Sequence, residues 1–339
     1  MNAIMPMLRP SPIVATVDLD TKGVQHGFLR LPYSRDDSAW GSVMIPITVI
    51  AHGNGPTALL TGGNHGDEYE GPIALFDLAR SLRPEQVQGR VIIVPAMNYP
   101  AFCAGTRTSP IDRGNLNRSF PGRPDGTVTE KIADFFSRTL LPRADLVLDF
   151  HSGGRTLDFL PYAAAHELSD KEQEQRCFAA VAAFAAPYSM KMREIDAAGM
   201  YDTTAEEMGK VFVTTELSGG GTSTARTVVI AKRGVMNVLK HAGIVEGAPE
   251  TGPTRWLDMP SGACFTFAED QGLVEPCIDL GDAVRAGDVI VRIHPIGRTG
   301  QRPAEYRASL NGILAARHFP GLVKSGDCLA VVATVEDAI

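Results

Sequence analysis

The stretch LLTGGNHGDEYEG, residues 59–71, joins an apolar run to a cluster of polar side chains through two glycines. The apolar run predicts a buried strand. The residues that follow predict a helix, because apolar side chains recur near helical spacing at Ile73, Phe76, Leu78 and Leu82. His65 and Glu68 lie between the two elements, at the carboxyl end of the strand, where open α/β sheets place their ligands. The stretch therefore predicts a strand, a turn with candidate ligands and a helix.

The same alternation continues along the chain to about residue 243. Further short apolar runs bounded by glycine, apolar on both faces as central strands of a covered sheet must be, occupy 89–98, 144–154 and 209–221. Further helical patterns occupy 128–141, 169–186 and 224–243. We expect the first of these helices to be capped at Thr127 or Thr129 and the second at Ser169. Strands that alternate with helices predict an α/β sandwich with helices on both faces of the sheet.

Length, charge and cysteine usage limit the class of protein. A chain of 339 residues predicts one large and one small domain. Its net charge of -7 argues against a nucleic-acid or anionic-membrane partner, since either requires a basic face. No apolar run approaches the roughly 18 residues of a membrane span, and the N-terminus lacks the pattern of a signal peptide. Five scattered cysteines without a C-x-x-C pair suit a reducing cytosol. We expect a cytoplasmic protein.

The helical signal disappears past about residue 248. We therefore predict an α/β domain over residues 1–247, with N-terminal strands in 1–50, and an all-β accessory domain over 248–339. Within the second domain, 271–293 and 311–332 both contain V-x-x-G-D followed by an apolar strand. This half-repeat resembles the barrel-sandwich hybrid of lipoyl and biotinyl carrier domains. Neither half places a lysine at the hairpin tip, so a structural role is favoured over a carrier role.

His65 and Glu68 are candidate metal ligands, and they form the only H-x-x-E in the chain. Zinc in a hydrolase takes three ligands from His and Asp/Glu and leaves one position for water. The third ligand should also follow a strand, and His151 in LVLDFHSGG is the histidine that qualifies. The competing interpretation is two unrelated loop histidines and a solvated glutamate. Two separate strand ends, each with a ligand type next to glycines, favour the metal.

A metal-activated water needs a base, and Glu216 in VFVTTELSGGG is the carboxylate at the end of a third central strand. The alternative is a surface glutamate, but the glycines that follow favour close approach of a ligand to the backbone. A loop over 104–122 adds cationic and amide groups: Arg107, Arg113, Asn117 and Arg118. A site for acidic substrates needs one cation for a carboxylate and another for a developing oxyanion. We expect Arg113 to be a solvent-facing residue.

The motifs GGNHGDE, NLNRSFPG, DFHSGG and TTELSGGG occur in this order. Together they resemble the succinylglutamate desuccinylase/aspartoacylase family, relatives of the zinc carboxypeptidases, over roughly residues 50–240. The branch most similar to the chain is the N-acetyl-diaminobutyrate deacetylase of ectoine degradation. The resemblance implies a carboxypeptidase-like three-layer sandwich with a mixed central sheet and one zinc ion per chain.

The family pattern, carried over position by position, implies roles for seven residues: zinc ligands His65, Glu68 and His151, general base and acid Glu216, carbonyl-polarising Arg107, and carboxylate-binding Asn117 and Arg118. One position departs from the pattern. Asn115 stands where the family often has an Asp that holds the first histidine. We expect the Asn115 amide oxygen to accept the ring N–H of His65, which would make this histidine a slightly weaker ligand.

The predicted activity is hydrolysis of an N-acyl amino acid, with an acetyl or succinyl group, and N-acetyl-2,4-diaminobutyrate is one such substrate. The alternatives are a zinc carboxypeptidase acting on small peptides and a non-catalytic carrier or binding protein. A substrate with a cationic side chain would need an acidic group in the pocket, for which Asp158, Glu206 and Glu207 are candidates. Tyr201 is a candidate for closing over the substrate. Whether the chain forms a homo-oligomer stays open.

Overall fold

The computed structural model describes residues 9–193 and 198–336. In these ranges the chain forms nineteen strands: Val14–Ala15 (β1), Gly23–Pro32 (β2), Ser42–His52 (β3), Thr57–Gly62 (β4), Gly89–Val94 (β5), Leu146–Phe150 (β6), Leu157–Phe159 (β7), Tyr162–His166 (β8), Tyr188–Met192 (β9), Val211–Glu216 (β10), Arg255–Asp258 (β11), Phe265–Phe267 (β12), Gly272–Pro276 (β13), Ala283–Val284 (β14), Val289–His294 (β15), Ala304–Arg307 (β16), Gly312–His318 (β17), Leu322–Val323 (β18) and Cys328–Val335 (β19).

Six α-helices lie in the same part of the chain: Glu70–Ser81 (α1), Tyr99–Ala104 (α2), Val128–Phe135 (α3), Lys171–Phe184 (α4), Tyr201–Glu207 (α5) and Ala225–His241 (α6). A π-helical turn, Phe136–Leu140, continues α3. Short 3₁₀ turns occupy Pro84–Gln86, Leu116–Arg118, Leu141–Arg143 and Gly262–Cys264. None of the helices in the described ranges is both long and apolar enough to cross a membrane.

A large mixed sheet organises the fold. Its strands follow the order β1-β2-β3-β5-β4-β6-β10-β8-β9-β11-β19-β17-β14, with β12 paired to β19 and β7 paired to β17. The central strands β5, β4, β6 and β10 are parallel to one another, whereas β3 and β8 run antiparallel to their neighbours in this group. A separate antiparallel sheet has the order β16-β15-β13-β18. The predicted α/β class with a mixed sheet is confirmed at this level.

Apolar side chains cover both faces of the central sheet. Leu60 of β4 packs in a cluster with residues of α1, α4 and α6, while its neighbour Leu59 packs with residues of α3 and α5 on the other face. Both side chains are fully buried. Successive strand residues point to opposite faces, so a strand that is apolar throughout requires helices on both sides.

The helix boundaries agree with the sequence patterns, with one local correction at the cap of α4. Thr127 caps α3, since its side chain accepts from the Glu130 amide at 3.3 Å and the Glu130 carboxylate accepts from the Thr127 amide at 2.7 Å. Asp170, and not Ser169, caps α4 and accepts from the next turn at 3.0 and 3.1 Å. A carboxylate is the better partner because the amino end of a helix carries partial positive charge.

The buried face of α1 is only partly the one marked by the sequence pattern. Of the apolar residues near helical spacing, Leu78 and Leu82 are buried, whereas Ile73 and Phe76 are 39% and 47% exposed and Ala74 and Leu75 are buried. Helical spacing alone does not identify which of two neighbouring apolar stripes meets the sheet.

The C-terminal strands extend the large sheet. β11 pairs with β9, and β19, β17 and β14 follow it toward the edge. β7, which lies between β6 and β8 in sequence, pairs with β17, so this segment of the chain contacts the C-terminal strands directly. The boundary at residue 247 and the barrel-sandwich arrangement stay predictions.

Candidate metal centre and active site

Three central strands end at one edge of the sheet and supply the site. His65 follows β4, His151 follows β6, and Glu216 is the last residue of β10. β4 pairs with β6, and β6 pairs with β10, in parallel. The carboxyl ends of parallel strands meet at the same edge of a sheet, which brings these distant residues together.

His65, Glu68 and His151 form a compact group of metal-ligand types. One ligand atom from each lies within 4.8 Å of the others, so the group could hold a metal ion. The His65 Nδ1 is 2.8 Å from Glu68 Oε1, and the His151 Nδ1 is 3.0 Å from Glu68 Oε2. The two imidazole centroids are 5.0 Å apart. Two histidines and a carboxylate that leave a position for solvent are a ligand set typical of catalytic zinc.

Burial and the neighbouring charges together determine the ionisation of this group. Burial on its own would raise the pKa of Glu68, but the facing His65 and His151 outweigh it and lower that pKa. Burial lowers the pKa of His65. For His151, burial is outweighed by Asp149 and Glu68, which raise its pKa. A negative carboxylate therefore lies between two imidazoles whose surroundings differ.

Asp149 holds the far side of the His151 ring. Its Oδ2 is 2.9 Å from the His151 Nε2, and it accepts from Thr61 at 2.6 Å and from Asn64 at 3.1 Å. A carboxylate on the second ring nitrogen fixes the tautomer and orientation of a ligating histidine. Asp149 was not among the site residues predicted from the sequence. The sequence contained a signal for it: Asp149 lies in β6 two residues before His151, and in extended backbone residues at this spacing point to the same face of the sheet.

The expected contact between His65 and Asn115 is wrong. The Asn115 side-chain oxygen accepts from the Asn117 amide at 3.1 Å and so caps the short turn Leu116–Arg118. The His65 Nε2 is buried and has no hydrogen-bond partner among the residues that the structure describes. A local cap that is two residues away in sequence occupies the oxygen that was assigned to the histidine.

Glu216 ends β10 and lines the same pocket as the candidate metal ligands. Burial, and after it the charge of Glu68, raises the pKa of Glu216 to about 8. Its Oε2 is buried and makes no hydrogen bond within the described ranges. A divalent cation in the adjacent group would lower this pKa again by its own charge. The oxygen is therefore available to accept a proton beside the candidate metal centre.

All seven site residues predicted from the sequence line one pocket of about 190 Å³. The lining comprises His65, Glu68, Arg107, Asn117, Arg118, His151, Met192, Met200, Asp202, Thr214 and Glu216. Arg107 reaches the metal-ligand group, with its Nη1 3.3 Å from the His65 Nδ1 and 3.8 Å from Glu68 Oε1. Arg113 is exposed and does not contribute to the described lining, in line with the expected solvent-facing role.

Asn117 and Arg118 form a second polar wall of this pocket. The Asn117 side-chain oxygen accepts from the Tyr201 amide at 3.2 Å. This bond orients the side-chain NH₂ as the end that can donate to a carboxylate. Arg118 donates to the Asn117 carbonyl at 2.7 Å, which holds the guanidinium next to the amide.

The acidic candidates from the sequence lie elsewhere. Asp158 is 3.3 Å from Arg317 and accepts from Ser218 at 3.2 Å, and Glu206 is 3.0 Å from His166. Glu206 and Glu207 line a different pocket, and none of the three contributes to the described lining of the first one. Asp202, which was not among the acidic candidates predicted from the sequence, does line it.

The expected closing role of Tyr201 is wrong. The Tyr201 side chain is fully buried and packs against Phe120, Phe136 and Phe212. It is a core residue at the start of α5. A tyrosine in a polar stretch suggested a loop position, but three aromatic neighbours from other parts of the chain bury it.

Comparisons with known proteins find relatives over most of the chain. Residues 54–242 match the family described as succinylglutamate desuccinylase/aspartoacylase catalytic domain. The N-alpha-acetyl-L-2,4-diaminobutyric acid deacetylase of Halomonas elongata is 58% identical over 334 residues, which cover 98% of this chain and 97% of that protein.

Two solved structures are similar over nearly their full length. The product-bound ectoine utilization protein EutE (DoeB) from Ruegeria pomeroyi has 66% identity and a TM-score of 0.95, covering 96% of this chain and 99% of that chain. A succinylglutamate desuccinylase from Silicibacter sp. TM1040 has 64% identity and a TM-score of 0.95, covering 97% and 100%. These matches confirm the resemblance found in the four motifs: the chain belongs to the succinylglutamate desuccinylase/aspartoacylase family.

Proposed function

We propose that this chain is a zinc-dependent hydrolase that removes the acyl group from an N-acyl amino acid, with N-acetyl-2,4-diaminobutyrate as its substrate. The observation that carries the proposal is the convergence of His65, Glu68 and His151 beside Glu216 in one pocket. The substrate is proposed from the Halomonas elongata relative, which is named for the deacetylation of this compound.

His65, Glu68 and His151 fit zinc by the chemistry of their donors, two imidazole nitrogens and a carboxylate. Asp149 adds the outer carboxylate that such a histidine ligand usually has. When bound there, zinc would lower the pKa of a coordinated water to about 7 and polarise the acyl carbonyl.

Glu216 is the proposed general base and acid. Its buried Oε2 accepts a proton from the attacking water, and the same carboxyl then delivers that proton to the leaving amine. The charge of a cation bound at the candidate metal centre would lower the pKa of Glu216 from its metal-free value of about 8, so that the carboxylate is ionised when it meets the water. The carboxyl therefore shuttles one proton within each turnover.

Two negative groups need partners in this reaction, the developing charge on the acyl oxygen and the α-carboxylate of the substrate. We assign the first to Arg107 and the second to Asn117 and Arg118. Arg107 lies beside the candidate metal centre, so it would donate to the acyl oxygen as charge develops there, an effect of about 3 kcal/mol for one such donor. Asn117 and Arg118 lie together on the pocket wall and would bind the α-carboxylate of the substrate.

We also propose three features of the protein as a whole. One is a cytoplasmic location, on the charge and cysteine pattern. The second is a boundary between an α/β domain, residues 1–247, and an accessory domain, 248–339. The third is a barrel-sandwich arrangement within the accessory domain, on the half-repeat of its sequence.

The substitution Glu216→Gln tests the proposed function. We expect the variant to keep one zinc per chain by elemental analysis and to lose about 10²–10⁴-fold in kcat for N-acetyl-2,4-diaminobutyrate. Glu206→Gln is the matched control, because Glu206 pairs with His166 in a different pocket. Short peptides assayed in parallel test the carboxypeptidase alternative. Near-normal turnover by Glu216→Gln, or peptides as the better substrates, would contradict the proposal.

A further inference from the structure

We propose that Asp202 binds the side-chain ammonium group of the substrate and thereby selects amino acids with a cationic side chain. The inference rests on the proposed function and adds the residue that recognises the side chain of the substrate. Asp202 is buried, with 7% of its surface exposed, and it lines the same pocket as Glu216 and the candidate metal ligands.

The position of Asp202 is fixed by its neighbour in the chain. Tyr201 is fully buried, with its ring 4.7 Å from that of Phe120. The Tyr201 amide donates to the Asn117 side chain at 3.2 Å. Asp202 therefore follows a residue that is anchored on both its side chain and its backbone. Its own Oδ1 accepts from the Thr203 amide at 2.7 Å, in the first turn of α5.

The carboxylates of the described lining come from different parts of the fold. Three carboxylates lie in the described part of the lining: Glu68, Asp202 and Glu216. Glu68 faces both histidines, and Glu216 lies at the end of β10 next to them. Asp202 instead comes from α5, whose start is tied to Asn117. The lining thus contains a carboxylate outside the candidate metal centre, on the side of the proposed carboxylate-binding pair.

The structure of the substrate would place its ammonium group on the side of the pocket that holds Asn117 and Arg118. The α-carboxylate and the side chain of an amino acid branch from the same carbon atom. When Asn117 and Arg118 bind the carboxylate, the side chain starts next to them. 2,4-Diaminobutyrate carries an ammonium group two methylenes further on, within the reach of a neighbouring carboxylate. An ammonium–carboxylate hydrogen bond is charge-assisted and among the strong ones.

The same carboxylate would act against other substrates of this general class. A neutral side chain would place an apolar group against the buried Asp202 carboxylate. An apolar group cannot donate a hydrogen bond to this charge, so the substrate would bind more weakly. An acidic side chain would add a like charge beside it and be repelled. Asp202 would therefore separate cationic from acidic N-acyl amino acids.

The test compares two substrates of nearly equal shape, N-acetyl-2,4-diaminobutyrate and N-acetyl-norvaline, in which a methyl group replaces the ammonium. We expect Asp202→Asn to lower kcat/KM for the cationic substrate about 10- to 100-fold, the loss of one charged hydrogen bond, and to leave norvaline turnover within about threefold. Glu206→Gln, on the same helix but outside this pocket, should change neither value. Zinc content and thermal melting establish that each variant is folded.

Equal losses on both substrates would overturn the inference, because they would make Asp202 a positioning residue for Asn117 or Arg118. Unchanged kinetics on both would overturn it as well. The wild-type protein provides a second test that needs no variant. Its kcat/KM should be at least about tenfold higher for the cationic substrate than for N-acetyl-norvaline. Equal kcat/KM values for the two substrates would contradict recognition of the ammonium group. A wild-type protein that hydrolyses neither would overturn the proposed function itself, and this inference with it.

Discussion

At the scale of single residues, the two candidate histidine ligands differ in the hydrogen-bond partner of the second ring nitrogen. Asp149 contacts the second ring nitrogen of His151, whereas the corresponding nitrogen of His65 is buried without a partner among the described residues. Asp149→Asn should therefore lower zinc affinity about 10- to 100-fold, measured by competition with a chelator. Asn115→Asp is the control, because its side chain caps a turn and does not contact His65. Equal zinc affinity of Asp149→Asn and wild type would contradict this account of the site.

A second residue-scale prediction concerns Glu70, a buried carboxyl whose pKa burial raises to about 7. Between about pH 4.5 and pH 7 the folded protein therefore keeps a proton at Glu70, whereas the unfolded chain releases it because its carboxyl has an ordinary pKa. The free energy of unfolding falls as pH rises through this range. In the metal-free protein, Glu70→Gln should remove this loss. The variant should gain on the order of 3 kcal/mol over wild type at pH 8 and little at pH 5. Thermal unfolding at the two pH values measures it, and a pH-independent difference would contradict it.

At the scale of secondary-structure elements, the close approach of α1 to β6 brings Glu68 to His151. A Cβ on Gly71 would lie 2.0 Å from the Cβ of Phe150, the last residue of β6. Gly71→Ala should therefore destabilise the protein by about 1–3 kcal/mol through overpacking, although alanine normally favours a helix. Gly262→Ala is the control, because no atom of the described residues lies within 4 Å of its added Cβ. Thermal unfolding distinguishes the two, and a stabilising Gly71→Ala would show that α1 can move away without cost.

Elements that depend on local pattern were predictable from the sequence. The four predicted strands contain β4, β5, β6 and β10. Each is a short apolar run bounded by glycine, a pattern typical of a buried strand. The cap of α4 and the buried stripe of α1 were not, since adjacent residues competed for one role and tertiary packing decided between them. Tyr201 shows the same limit, because its three aromatic neighbours come from distant segments.

At the scale of the whole molecule, the C-terminal strands contact the segment that follows the proposed base. Arg317 of β17 lies 3.3 Å from Asp158, and Asp158 accepts from Ser218 at 3.2 Å, two residues after Glu216. Ser218 has a φ of 92°, a conformation that a residue with a side chain rarely adopts and that its surroundings must hold. The link spans 159 residues of sequence. No local pattern in the sequence could have predicted it.

Arg317→Ala tests whether this link supports catalysis. We expect kcat for the acylated amino acid to fall about tenfold, because a displaced base is costly, while zinc content stays at one per chain. Arg307→Ala is the control, since Arg307 pairs with Glu305 on the separate antiparallel sheet. If both variants match the wild type in kcat, the C-terminal strands do not position Glu216.

The central claim is that side chains distant along the polypeptide hold one divalent cation. An anomalous-difference map recorded on both sides of the zinc absorption edge, from crystals of the zinc-loaded protein, tests it most directly. The account predicts one peak per chain at about 2.0–2.2 Å from the Nδ1 atoms of His65 and His151 and from the carboxylate of Glu68. A zinc peak at other residues, or no peak at this triad in the fully loaded protein, would contradict it.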